Sequence, residues 1–231
     1  MKKKILIAIL VIIVIAFLVV GYFVISDMIQ EDKLKTELAE INELSNAETI
    51  DMNAINERLD RRITTGDYAI VEDAFKTYLR ENFDNSLQIA EILNDEKITT
   101  LLTAENYQED GKDFTESKNY ITTTREQLEN CKTKYTEFLT EEKAMSYIND
   151  KGLDSYYTDL YKQEFVGDIE TAGNDDTVEN SIDEIISILN TSEKVLNLLS
   201  ENQDSWEMNG ESILFNNENI SNQYDELINS L

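Results

Sequence analysis

The segment Asn106-Tyr107-Gln108-Glu109-Asp110-Gly111-Lys112-Asp113 has the residue types and spacing closest to a metal site. In a calcium-binding loop, alternate positions supply oxygen ligands and a central glycine makes the sharp turn. The match fails at three points. Its first ligand is Asn106 rather than Asp, Lys112 brings a positive charge, and the bidentate position falls on Ser117. An ordinary polar turn is the preferred reading. Asn174-Asp175-Asp176, after Gly173, is read as a linker that leads into a helix cap.

Covalent and acid–base chemistry find few candidates. With no histidine in the chain, a Ser-His-Asp triad, a Cys-His pair and an imidazole metal site are all excluded. The single Cys131 lies on the apolar stripe of an expected helix, which suits a buried small side chain better than a nucleophile. No serine has a lysine three residues on, and the scattered glycines form neither a GxGxxG nor a phosphate-binding loop. With 47 acidic residues, close carboxylate pairs arise by composition alone and single out no acid–base couple. Tyr147, Tyr156, Tyr157 and Tyr161 invite a groove for sugars or peptides, but aromatic packing in a bundle explains them more simply. Asn190-Thr191-Ser192 and Asn219-Ile220-Ser221 match a glycosylation sequon, which carries no weight in a bacterial chain. No catalytic, cofactor-binding or metal residue is assigned, no cofactor is expected, and the chain reads as non-enzymatic.

The strongest signal is positional. After Met1-Lys2-Lys3-Lys4 the chain runs from Ile5 to Ile25 without a charge, with Tyr22 and Phe23 near the far end. At roughly 1.5 Å per residue this run extends about 31 Å, enough to cross a bilayer's hydrocarbon core. Three lysines stand before it, and behind it only Lys33 and Lys35 lie close, among acids. That asymmetry puts residues 1–4 in the cytoplasm, a signal anchor over residues 5–26, and residues 27–231 outside. Cleavage before Asp27 is the alternative, but the apolar run is longer than a signal peptide needs. In either case the remainder is exported.

All 47 acids follow Ser26, against 17 of the 20 bases, so residues 27–231 carry a formal −30. Such a field opposes nucleic acid and anionic headgroups, and favours cations or basic partners. One cysteine precludes an internal disulfide, so packing must hold the domain together. The lack of proline and histidine, with abundant Asn, Ile and Lys, points to a bacterial chain from an AT-rich genome.

Between glycines the apolar pattern is helical. Residues 27–65 read as a juxtamembrane stalk and first helices. Leu34, Leu38, Ile41 and Leu44 form one stripe, and a capping box at Ser45-Asn46-Ala47-Glu48 starts a helix through Ile55 and Leu59 to Arg62. Gly66 closes that helix and Asp67 caps the next. Residues 66–203 read as a helical bundle. Its first helix carries Tyr68, Val71, Phe75, Tyr78, Leu79, Phe83, Leu87 and Ala90, and a short helix follows over Ile98 to Leu102. Phe114, Ser117, Ile121, Thr124, Leu128, Cys131, Tyr135 and Phe138 then keep a 3-4 spacing. Small residues at one seam suit close packing inside a bundle rather than a free coiled coil. Thr140 starts a helix through Met145 and Ile148, and Asp154 caps a tyrosine-rich one. A long helix after residue 176 places Val178, Ile182, Ile185, Leu189, Leu196 and Leu199 in phase.

Residues 204–231 break the pattern. Trp206 to Phe215 reads as a β-hairpin about an Asn209-Gly210 turn, docked on the bundle, and a last helix carries Tyr224, Leu227, Ile228 and Leu231. The expected fold is mainly α: a transmembrane helix, then an extracytoplasmic helical bundle with a small C-terminal hairpin.

Gly66 to Leu79, Phe138 to Ile148 and Trp206 to Phe215 carry a resemblance. The chain resembles uncharacterised single-pass, membrane-anchored helical proteins of Gram-positive bacteria. That likeness implies the outer face of the plasma membrane and a helical architecture, and it transfers no activity. The sequence thus predicts an interaction or structural module with a protein partner in the envelope. The alternative is an extracytoplasmic sensor or ligand-binding protein for a cation or envelope component.

Overall fold

A computed structural model describes residues 29–45, 47, 51–166, 169 and 177–231. The described chain is mainly helical and ends in one two-stranded antiparallel sheet before a last helix. Its helices are α1 (Ile29–Ser45), α2 (Met52–Asp60), α3 (Asp67–Leu93), α4 (Glu96–Thr100), α5 (Ala104–Asp110), α6 (Thr115–Phe138), α7 (Glu141–Ser146), α8 (Ser155–Tyr161), α9 (Thr177–Glu201) and α10 (Glu218–Ile228). A π-helical turn, Lys162–Val166, extends α8, and the strands β1 (Trp206–Asn209) and β2 (Ser212–Phe215) precede α10. Among the described residues no helix is long and apolar enough to cross a membrane. The span expected at residues 5–26 lies outside the described residues, as does the linker 173–176.

Two compact units are present. One takes in the described residues up to Ala90 together with Cys131–Val178, and the other takes in Glu91–Asn130 together with Glu179–Leu231. The first unit has a core in which Leu34, Leu38 and Ile41 of α1 meet Ile55 and Leu59 of α2, the α3 stripe, and Tyr161, Phe165 and Val166. At its centre Tyr78 takes Phe165, Phe138 and Tyr147 edge-on at 4.9, 5.5 and 5.6 Å between centroids. Edge-to-face contacts bring positive ring edges to negative faces. The Tyr78 hydroxyl donates to the Phe138 carbonyl at 2.5 Å, which satisfies an otherwise orphaned buried group.

The 3-4 patterns fold as they read. All eight stripe residues of the α6 segment, Phe114 to Phe138, are buried, and so are the six in phase along α9. Thr140 caps α7 by accepting from Lys143 N–H, and Asp154 caps α8 by accepting from Tyr156 N–H. Other boundaries differ from expectation. The second helix starts at Met52 with Asp51 as its cap, accepting from Asn53 and Ala54 N–H, while Ser45 ends α1. It stops at Asp60 rather than Arg62, and Gly66 (φ 62°) turns the chain directly into α3, whose first residue is Asp67. Along α3 the stripe drifts: Leu87 is only half-buried, and Ile89 is buried instead. A helix of 3.6 residues per turn cannot keep a strict 3-4 register indefinitely.

The hairpin is present, with its turn one residue later than expected. Trp206 pairs with Phe215 and Met208 with Ile213, so Gly210 and Glu211 form the two-residue loop. Gly210 has φ 63° and Glu211 does not have positive φ. That sign pattern belongs to a type II′ turn, where glycine takes the first central position. In α10 the buried residue is Ile220, with Tyr224, Leu227 and Ile228 half-buried, and Leu231 lies beyond the helix end, exposed.

Candidate functional site

Two polar constellations stand out, one in each unit. The first is a buried charge cluster about Lys76 of α3. Glu37, Glu72 and Lys76 are 1, 0 and 4% exposed. Charged groups this deep are rare unless paired and hydrogen-bonded. Here the pairing is complete. Lys76 Nζ donates to Glu37 Oε1 (3.0 Å), to the carbonyls of Arg58 (2.7 Å) and Arg61 (2.8 Å), and lies 2.8 Å from Glu72 Oε1.

Glu72 explains why the cluster exists. Residues 61–65 join α2 to α3 outside any helix or strand; the Arg61 N–H still donates to the Glu57 carbonyl of α2, and of the five only Thr64 is buried. The Glu72 carboxylate accepts from Ile63 N–H (3.1 Å), Thr64 N–H (2.8 Å) and the Thr64 hydroxyl (2.5 Å), while Lys76 serves the preceding carbonyls of Arg58 and Arg61. Two side chains one turn apart thus supply hydrogen bonds to the inward-facing part of this connection, about the buried Thr64. On the other side, Glu37 of α1 accepts from Arg61 Nε at 2.9 Å and from Arg58 Nη1 at 3.2 Å. Burial by itself would raise the Glu37 and Glu72 pKa values; hydrogen bonds and charge pairing outweigh it and hold both below the ordinary carboxylate range. Both buried acids of the cluster, Glu37 and Glu72, are thus engaged by structure.

A second polar clamp ties α1 to α8. Glu31, 3% exposed, accepts from the Tyr156 hydroxyl at 2.8 Å and pairs with Lys35 at 2.9 Å, and Lys35 reaches Glu164 at 3.3 Å.

The expected tyrosine set does not converge on a groove. Tyr161 is buried and donates to the Ala144 carbonyl at 3.0 Å, and Tyr157 packs edge-on against Tyr68 at 5.1 Å. Tyr156 is 46% exposed and serves the clamp; Tyr147 donates to Glu81 at 2.5 Å. Of the four, Tyr147 lines a surface groove of 380 Å³, beside Lys143, Lys151, Asp73 and Glu81. Its charges are balanced: Lys143 pairs with Glu81 across it, and Asp73 pairs with Arg62 outside it.

Only part of the calcium-like segment, Gly111 to Asp113, is a polar turn. Asn106 to Asp110 lie in α5, and the Asp110 carboxylate accepts from Glu116 N–H (3.0 Å) and Ser117 N–H (2.8 Å). Those bonds outweigh desolvation and hold the Asp110 pKa below its usual value. Asn106 Nδ2 donates to the Leu101 carbonyl and to Ser117 Oγ. The oxygens that resembled ligands therefore start α6. Among the described residues, no three Cys, Asp or Glu side chains gather as metal ligands. Cys131 is fully buried, and burial pushes its thiol pKa up.

The second constellation went unnoticed in the sequence because three elements build it. In the second unit α5, the hairpin and α10 enclose a groove of 340 Å³, with Leu102, Tyr107, Met208, Ile213, Phe215 and Tyr224 as its apolar lining. Thr103 caps α5, and Asn217 caps α10 by accepting from Asn219 and Ile220 N–H. The strand alternation turns Trp206, Met208, Ile213 and Phe215 to one face and Glu207, Asn209, Ser212 and Leu214 to the other. Trp206 anchors that face: its indole N–H donates to the Leu199 carbonyl at 2.9 Å, and its ring stacks on Phe114 at 6.0 Å. Lys112 lies over the indole at 4.7 Å and donates to the Trp206 carbonyl. Phe114 has φ 53°, a costly backbone for a bulky residue, held by this packing.

At the floor of the groove Tyr107 is 3% exposed. The Tyr224 phenol is a polar neighbour of its hydroxyl, but no partner meets that hydroxyl in good hydrogen-bonding geometry. Burial pushes both phenols up in pKa. Phe215 and Tyr224 lie 5.2 Å apart at 49°, a tilted pair. Glu211 and Asp225 stand exposed at the rim with Ser212 and Ser221, and none of the described residues lining the groove is basic.

Comparison with protein-family models, with curated proteins and with solved structures finds no match for this chain.

Proposed function

We propose that this chain is a membrane-tethered, non-catalytic helical module that presents residues 27–231 outside the cytoplasm to a protein partner of the bacterial envelope. The observation carrying this reading is the uninterrupted apolar run Ile5 to Ile25 behind three lysines, followed by a remainder of formal charge −30. The first described helix, α1, begins four residues beyond that run and is clamped into the first unit by Glu31 and Glu37. A tether continuous with such a helix would hold the unit close to the bilayer. The engagement of Glu37, Glu72 and Lys76 by backbone and opposite charge supports a structural rather than catalytic use of these groups.

Expression of the full chain with a C-terminal epitope in a Gram-positive host tests the tether. The chain should stay with the membrane through alkaline carbonate washing, and protease added to intact protoplasts should remove the epitope. Carbonate release, or an epitope protected until lysis, would overturn the reading. Cross-linking in those cells followed by detergent extraction should capture a specific envelope protein.

A second reading, an extracytoplasmic ligand-binding protein, is favoured by one observation: the aromatic groove over Tyr107 with its two acidic rim residues.

A further inference from the structure

We propose that the groove between α5, the hairpin and α10 is a binding site for an alkylammonium cation, with Phe215 and Tyr224 as its aromatic walls over a buried Tyr107, and Glu211 and Asp225 as counter-charges. Ring faces attract cations through their quadrupole, and sites for quaternary and methylated ammonium groups are built from several such rings. Here three rings from three different elements line one concavity. The charge selection is one-sided, since both ionisable side chains in the lining other than the phenols are carboxylates. An ammonium head can approach such a rim and shed water against the rings below it, whereas an anion is repelled.

Two further features separate this groove from ordinary hairpin docking. The hydroxyl of Tyr107, buried beneath it, faces the phenol of Tyr224, itself a groove-lining side chain, rather than a backbone group of the core. The volume, 340 Å³, suits a small ligand rather than a single missing side chain. By contrast, the groove beside Tyr147 sets two lysines against two acids, with Lys143 already paired with Glu81. This proposal does not depend on the membrane tether.

The chain's single tryptophan, Trp206, pairs across the strands with Phe215 and so reports on the groove wall. Full-length protein in a neutral detergent is titrated with choline chloride at constant ionic strength. Parallel titrations use 3,3-dimethylbutan-1-ol, the uncharged isostere, and N-acetyl-lysine amide. Choline should give a saturable change in Trp206 fluorescence with Kd on the order of 1 mM, and the isostere should bind at least about tenfold more weakly. Glu211→Gln with Asp225→Asn, both at exposed rim positions, should weaken choline about three- to tenfold. Tighter binding of choline than of the lysine amide points to a free quaternary solute or a lipid headgroup. The reverse order points to a lysine side chain of a partner. An isostere as strong as choline, or no saturable response to either cation up to about 100 mM, overturns the proposal.

Discussion

The ammonium of Lys76 stands 2.8 Å from the carboxylate of Glu72, one helical turn earlier in α3, and both are sealed from water. The same two side chains hold the backbone of the α2–α3 connection from both its N–H and its C=O groups. Lys76→Met removes the cation and leaves two buried carboxylates short of a partner. Breaking a buried pair from one side costs about 3–5 kcal/mol. Urea titration followed by far-ultraviolet circular dichroism should show a loss of that order, whereas Arg62→Met, which breaks the exposed pair with Asp73, should cost under about 1 kcal/mol.

Acid should undo the same cluster. Glu37 and Glu72 titrate below their ordinary value of 4.5 in the folded protein. Their contribution is fully present above that value and is lost as pH falls through the lower folded-state values. Thermal melts should therefore hold steady from neutrality to about pH 5 and drop steeply below 4.5. Lys76→Met should lie far below the parent at pH 7 and approach it at pH 4, because protonation neutralises the stranded acids. A deficit independent of pH would refute this account.

Asp110 offers a test of cap against metal ligand. Asp110→Ala removes the acceptor for Glu116 and Ser117 N–H at the start of α6 and should cost about 1 kcal/mol. The loss should be equal with calcium or with a chelator present. A calcium-dependent difference between parent and variant would return the segment to the metal reading.

Cys131 should be chemically silent. Its thiol is fully buried, and burial raises its pKa. Reaction with an aromatic disulfide at pH 8 should be slower than in urea-unfolded chain by on the order of a hundredfold or more. Prompt labelling of the native protein would contradict the burial.

Gly210 opens the hairpin loop at φ 63°, and a Cβ there would meet nothing within 4 Å. The cost of Gly210→Ala is then conformational alone, about 1–2 kcal/mol. A blue-shifted Trp206 emission at low urea, lost earlier than in the parent, would register it.

Local features were legible in the sequence, and long-range ones were not. The stripes of α6 and α9 and the caps Thr140 and Asp154 follow from spacing and side-chain type within a few residues. The hairpin was legible as two strands, but the Asn-Gly pair misplaced its turn. Packing Trp206 opposite Phe215 and Met208 opposite Ile213 puts four apolar residues on one face and forces Gly210-Glu211 into the loop. Face pairing outweighed turn preference. Glu72 and Lys76 stand four residues apart, a spacing that is ordinary on an exposed helix face. Their burial depends on Glu37, far away in the chain, and on Ile63 and Thr64, whose N–H groups donate to Glu72. The groove was hidden for the same reason: Tyr107, Phe215 and Tyr224 share no local pattern and meet only in the fold. The capping box at Ser45 failed because Asp51, nearer the first apolar turn, takes the role.

The two compact units exchange the chain three times, at Ala90 within α3, at Asn130 within α6 and at Val178 within α9. Each unit is therefore written in two separate stretches of sequence, and those handovers fall inside helices rather than in loops. Neither unit can be excised by a single pair of cuts, inherited as one cassette, or completed by a ribosome before its second stretch emerges. Gene fusion and shuffling would have to treat the described protein as indivisible.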